Sequence, residues 1–115
     1  MNEFSQFLVP GLIVAYFIWR FVSLRRVRGV LPKLLAEGAV VVDVRSPAEF
    51  RQGSRPGSIN IPLTDLPARS KELDREKTIV LCCASGARSG MAVGILKANG
   101  FERVVNAGPW TNTLL

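Results

Sequence analysis

Histidine is absent from all 115 residues, and cysteine is confined to one adjacent pair, Cys82 and Cys83. Without histidine and with so few thiols, no metal site and no cofactor is expected. Two neighbouring cysteines also give no disulfide framework. Acidic residues are scarce, nine against fifteen basic ones, for a formal net charge of +6. That excess is not a nucleic-acid footprint. Arg20, Arg25, Arg26 and Arg28 hold four of the basic residues, and from Lys33 to Arg103 eleven bases face eight acids, too mild an imbalance for a nucleic-acid partner. The chain has no repeat and no low-complexity tract, and its length leaves room for one small domain rather than a multidomain enzyme.

Against this ordinary background stands one long apolar run. From Phe4 to Leu24 the only charge is Arg20. The run approaches the ~20 residues that cross a bilayer as a helix. Tyr16 and Trp19 are aromatic-belt residues near one end, Arg20 is placed to snorkel toward headgroups, and Pro10-Gly11 is tolerated in a membrane span. The start, Met1-Asn2-Glu3, is not basic, and no Ala-x-Ala precedes Leu24-Arg25-Arg26, so cleavage as a signal peptide is not expected. An interfacial helix is the competing reading, but the run lacks the polar face such helices carry. The expected organisation is a transmembrane helix over 4–24, a basic juxtamembrane linker over 25–29 and a domain over 30–115. The positive-inside rule then gives a single-pass protein of the inner or plasma membrane, its domain in the cytoplasm and lipid among its partners.

The domain alternates helix and strand. Pro32 and Gly38 frame a short helix over Leu31–Glu37, and Ala39 to Val44 is a continuous run typical of a strand buried on both faces. Ser46-Pro47-Ala48-Glu49 is a capping box, with Arg45 and Glu49 four apart and able to pair. A short extended piece follows at Ser58–Ile61, then a helix from Thr64-Asp65, a second buried strand over Thr78–Cys82, a helix over Ser89–Asn99, a last strand at Val104-Val105 and a terminal turn from Trp110 to Leu115. The pattern predicts an α/β fold with a small, mainly parallel sheet flanked by helices, binding ligands at the carboxyl ends of its strands.

One segment has the chemistry of a reaction site. Cys82-Cys83-Ala84-Ser85-Gly86-Ala87-Arg88-Ser89 lies between a strand and a helix start, and its small residues let successive N–H groups turn inward as an anion nest. Arg88 adds a forked cation. A cysteine aimed into such a ring has its thiolate stabilised, which makes it a nucleophile beside an anion site.

The run Asp43-Val44-Arg45-Ser46-Pro47-Ala48-Glu49-Phe50, the stretch Gly53 to Leu63, the loop Cys83 to Gly90, Gly100-Phe101 and Val105-Asn106-Ala107-Gly108 to Trp110 together resemble a single-domain rhodanese, a sulfurtransferase family. The resemblance covers nearly all of residues 30–115. It implies a rhodanese-like fold and an enzyme whose loop cysteine takes sulfane sulfur from a small anionic donor such as thiosulfate, becomes a persulfide and passes the sulfur to a thiol or to cyanide. By position, Cys83 is the nucleophile, Ala84, Ser85, Gly86, Ala87, Arg88 and Ser89 form the substrate cradle, and Asp43, Arg45 and Glu49 support it. The chain departs from the family in having Ser54-Arg55 where histidine-isoleucine is common, and Pro109 where glycine is frequent. The first departure leaves the persulfide chemistry intact, because an ionised thiol needs no general base. Arg55 is then either a solvated loop charge or a group that steers anionic donors.

Counted from Cys83 the loop is Cys-x4-Arg; counted from Cys82 it is Cys-x5-Arg-Ser, the pattern of the cysteine phosphatases. A phosphatase-like enzyme and a catalytically idle binding module therefore stand beside the sulfurtransferase reading.

Overall fold

A computed structural model describes residues 3–114; Leu115 lies outside it, as do Met1 and Asn2. The longest element is α1, Glu3–Ala36, a single helix of 34 residues. Here the structure departs from the expected linker at 25–29 and separate short helix after it. Residues 25–29 are helical, and Pro32 sits inside α1 rather than at its start. The reason is tertiary packing. Val27, Leu31 and Leu35, one helical turn apart, lie against the sheet, with Leu31 fully buried, and this contact carries the helix past its proline. Gly38, at φ +92°, then ends α1, with the Gly38 N–H on Leu35 O and the Ala39 N–H on Leu34 O. That pair of bonds is the Schellman closure, for which glycine is suited because it adopts positive φ without strain.

The sheet has four strands, β1 Val40–Asp43, β2 Ile59–Asn60, β3 Ile79–Cys83 and β4 Val104–Pro109. Their order is β2-β1-β3-β4, and every pairing is parallel. The helices after α1 are α2 Pro47–Gln52, α3 Leu66–Arg69 and α4 Ala87–Ala98, with 3-10 turns at Leu63–Asp65, Ser70–Glu72 and Trp110–Leu114. Ser46 caps α2 as expected: its hydroxyl accepts the Glu49 N–H while Glu49 returns to the Ser46 N–H.

Strand alternation divides the core in two. Val42, Ile79, Leu81 and Cys83 pack with Ala92 and Leu96 of α4, whereas Val41, Val80 and Cys82 pack with Leu31 of α1. Adjacent cysteines thus point to opposite faces of one strand. Between β3 and β4 the register skips Ala107, so that Leu81 lies beside Asn106 and Cys82 beside Gly108. The bulge turns the end of β4 toward the loop that follows Cys83.

The part of α1 before the sheet is uncovered. Phe7, Leu12, Ile13, Phe17, Ile18 and Phe21 are all exposed, and Gln6–Ala36 is long and apolar enough to cross a membrane, with a mean hydropathy of 1.9 over its most apolar window.

Candidate active site

The loop after β3 curls because Gly86 adopts φ +103°, a conformation closed to most residues, and because a Cβ at that position would stand 3.2 Å from the Gly108 Cα. Curling brings backbone donors onto one atom. The Cys83 Sγ accepts the Gly86 N–H at 2.9 Å and the Ser89 N–H at 3.4 Å, and lies 3.3 Å from the Ser89 Oγ. Ser89 sits in the first turn of α4, so the sulfur also lies at a helix amino terminus.

These contacts set the two thiols apart. Burial opposes ionisation of Cys83, but the hydrogen bonds from the Ser89 hydroxyl and from the N–H groups of Ser89, Gly86 and Ser85 outweigh it and bring its pKa below the ordinary thiol value. Burial, with the Asp43 charge adding to it, pushes the Cys82 thiol up to about 12. Of the two, Cys83 alone has a thiolate favoured by its surroundings.

Behind the ring stands Asn106, which the sequence reading placed in a motif but not in the site. Its Oδ1 accepts the Ser89 hydroxyl at 2.7 Å and the Gly108 N–H at 2.9 Å, while its Nδ2 donates to Gly86 O at 3.2 Å. The Ser89 hydroxyl has one hydrogen for two acceptors. Because Gly108 also serves Asn106, that hydrogen is free to turn to the sulfur when the thiol ionises.

The supporting residues form two ion pairs, and the partners differ from the expected ones. Arg45 does not pair with the Glu49 carboxylate. It forks onto Asp43, with N···O distances of 2.8 to 3.0 Å, donates to Gly53 O at 2.7 Å and lies 4.9 Å above the Trp110 ring. Both groups of this pair are buried, and the arrangement fastens the carboxyl end of α2 to the end of β1. Glu49 instead meets Arg88, Nη1 to Oε1 at 2.8 Å and Nη2 to Oε2 at 2.9 Å. Arg88 therefore stands beside the ring with both terminal nitrogens already engaged. Its guanidinium, aided by the serine cap, holds the Glu49 carboxyl down at about 2. Arg55 donates through Nη1 to Thr113 O in the carboxyl-terminal turn.

The free-standing cation comes from elsewhere. Arg20 of α1 donates through Nη2 to Ser85 O at 2.7 Å, and no carboxylate pairs with it among the described residues. Arg20, expected from the sequence to snorkel toward headgroups, thus has a bond to the loop. Leu24 of the same helix packs so tightly on Gly108 that a Cβ there would come within 2.7 Å of its Cδ2. Neither contact had a sequence signal beyond the isolation of Arg20 in an apolar run.

Comparison with known proteins places the fold among known relatives. A sulfurtransferase of Allochromatium vinosum is 39% identical over 70 residues, which cover 61% of this chain and 65% of that protein. The chain thus spans slightly under two thirds of that relative's length. The Bacillus subtilis protein YqhL is 31% identical over 110 residues, 92% of this chain and 87% of its own. Among solved structures, the rhodanese with anions from E. coli superposes with a TM-score of 0.61 at 34% identity, over 65% of this chain and 91% of that one. A rhodanese-related protein from Thermoplasma volcanium gives 0.62 at 36%, over 69% and 79%. With the profile of the Rhodanese-like domain matching residues 28–108, the chain belongs to the rhodanese-like domain family.

Proposed function

We propose that the chain is a membrane-anchored sulfurtransferase in which Cys83 carries sulfur as a persulfide. The observation that carries this reading is the ring of N–H groups and the Ser89 hydroxyl around one sulfur whose pKa lies below the ordinary thiol value. In the first half-reaction the Cys83 thiolate attacks the outer sulfur of thiosulfate. A new S–S bond forms, the S–S bond of the donor breaks, and sulfite leaves with its electron pair. In the second, a thiolate or cyanide attacks the outer sulfur of the persulfide, and the Cys83 thiolate departs. No net oxidation occurs and no cofactor is needed. The ring amides stabilise negative charge on the cysteine at both stages and cradle the anionic donor.

Ala84 and Ala87 keep the ring small, Ser85 and Gly86 supply its amides, and Arg88 acts through Glu49 to fix the start of α4 against α2. Asp43 and Arg45 hold the layer beneath. Names among the relatives support the chemistry: the Allochromatium protein is called a sulfurtransferase, and the E. coli relative PspE, 38% identical over 69 residues, a thiosulfate sulfurtransferase. The phosphatase-like reading would need Cys82 as nucleophile, and its place on the α1 face of the sheet with a raised pKa speaks against that. The anchor is read as a span over 4–24, which α1 continues through 25–29 into the domain over 30–115, with Arg25, Arg26 and Arg28 on the cytoplasmic side.

The deciding experiment is the intact mass of the full chain after incubation with thiosulfate. One added sulfur atom, removed by cyanide, is expected. An unchanged mass would leave the chain a binding module.

A further inference from the structure

Building on the sulfur-transfer reading, we infer that the cleft between α1 and the cysteine ring binds a lipophilic sulfur acceptor, a thiol with an apolar tail. The cleft encloses about 590 Å³. Its lining is polar at Ser85 of the ring and the Arg20 guanidinium bonded to it, and at Ser23 and Asn106. Its walls are Tyr16, Trp19 and Leu24 of α1 and Met91 of α4, and Tyr16, Trp19 and Met91 are left largely uncovered. Tyr16 and Trp19 stand together, their ring centroids 6.3 Å apart.

This mixed lining asks for a ligand with both a charged group and an apolar part. A compact dianionic donor is served by the ring amides and gains nothing from aromatic and thioether walls. The walls therefore act on the other substrate, the acceptor. With an apolar tail lying along Trp19 and Met91, its thiol sits beside Arg20, where the cation favours the thiolate that is to attack the persulfide. The attack forms an S–S bond between the acceptor sulfur and the outer persulfide sulfur, breaks the Cys83 S–S bond and returns the Cys83 thiolate, leaving the tailed molecule as a persulfide. Tyr16, Trp19 and Arg20 belong to the run that is long and apolar enough to enter a bilayer, so such an acceptor reaches the cleft from the lipid phase.

The test uses the full chain in lipid nanodiscs with thiosulfate as donor and ethyl, butyl and hexyl thiols as acceptors. Turnover is read as sulfite release, and sulfur on Cys83 as intact mass. In the native chain kcat/KM for the acceptor should rise about two- to fourfold per added methylene, the scale of partial to full burial of that group. Partitioning into the disc also raises the rate with tail length, but it is the same for every variant. Met91→Gln and Trp19→Ala should therefore each flatten the rise, lowering the hexyl-to-ethyl ratio about tenfold. A ratio unchanged in both variants, or no rise in the native chain, overturns the lipophilic acceptor while sulfur on Cys83 still stands. Absence of sulfur on Cys83 overturns the sulfur-transfer reading itself and this inference with it.

Discussion

Arg88 and Glu49, 39 positions apart in the chain, meet in a two-pronged ion pair that ties the capped turn of α2 to the first turn of α4. The pair lies beside the ring, and both side chains are more than a third exposed. Its value is geometric: it fixes the helix start whose N–H groups face the sulfur.

The first prediction follows from that coupling. Arg88→Ala should lower kcat/KM for thiosulfate about tenfold to hundredfold, the range of one charge-assisted contact. Glu49→Gln should lower it as well, and the double variant should be no worse than Arg88→Ala alone. Arg88→Lys restores a charge but not the fork, and recovers only part. Fully additive losses in the double variant would show that the two residues act separately.

The same pair predicts an acid dependence of stability. The Glu49 carboxyl is held at about 2, against 4.5 for a free glutamate. A depressed folded-state pKa contributes stability above the unfolded value and loses it as pH falls through the folded one. Thermal midpoints of the native chain should therefore fall between about pH 4.5 and pH 2 more steeply than those of Glu49→Gln. Parallel curves would show that the pair adds no pH-linked stability.

The Ser89 hydroxyl favours ionisation of Cys83. Its hydroxyl is the largest of the contacts that lower the Cys83 pKa. With the Cys83 thiolate as the proposed reacting form, kcat/KM for thiosulfate should rise with pH and level off below the ordinary thiol range. In Ser89→Ala the rising limb should move to higher pH by about one to two units, the equivalent of one hydrogen bond to a charged group. Ser89→Thr, which keeps the hydroxyl, should restore part of the shift. A rising limb at the same pH in Ser89→Ala would remove the hydroxyl from this role.

Facing opposite sides of β3, the two cysteines should behave differently toward reagents and substrates. At neutral pH iodoacetamide should alkylate Cys83 in the folded chain and leave Cys82 untouched, as peptide mass spectrometry will tell. Cys83→Ser should abolish sulfur transfer, and Cys82→Ala should retain it with a stability loss of about 1 kcal/mol from the missing buried thiol. An inactive Cys82→Ala beside an active Cys83→Ser would move the nucleophile by one residue and revive the larger phosphatase-type ring.

Charge placement sets the last expectation. With Arg25, Arg26 and Arg28 following the apolar run, protease added to intact spheroplasts should spare the domain, and inverted vesicles should lose it. Digestion in spheroplasts would put the cysteines in the oxidising compartment and remove the thiol acceptors assigned to them.

Much of the molecule was readable in the chain because the interactions that decide it are local. The serine cap of α2, the β-branched strand over Val40–Asp43, the ring of small residues after Cys83 and the apolar run before Leu24 each depend on neighbours within a few positions. Alternation along a strand requires Cys82 and Cys83 to face apart, though not which face looks toward the helix that completes the ring. Tertiary structure decided the rest. Arg45 had two carboxylates in reach, and the burial of Asp43 selected it, leaving Glu49 for Arg88. Helix propensity stops at Pro32, yet burial of Leu31 against the sheet carries α1 through it and brings Arg20 onto Ser85, 65 positions away. Asn106 became part of the site because its pairing with Leu81, which packs against α4, places it on that face of the sheet beside Ser89. Local pattern fixes which groups a segment offers, whereas the free energy of burying them together fixes which partners they take.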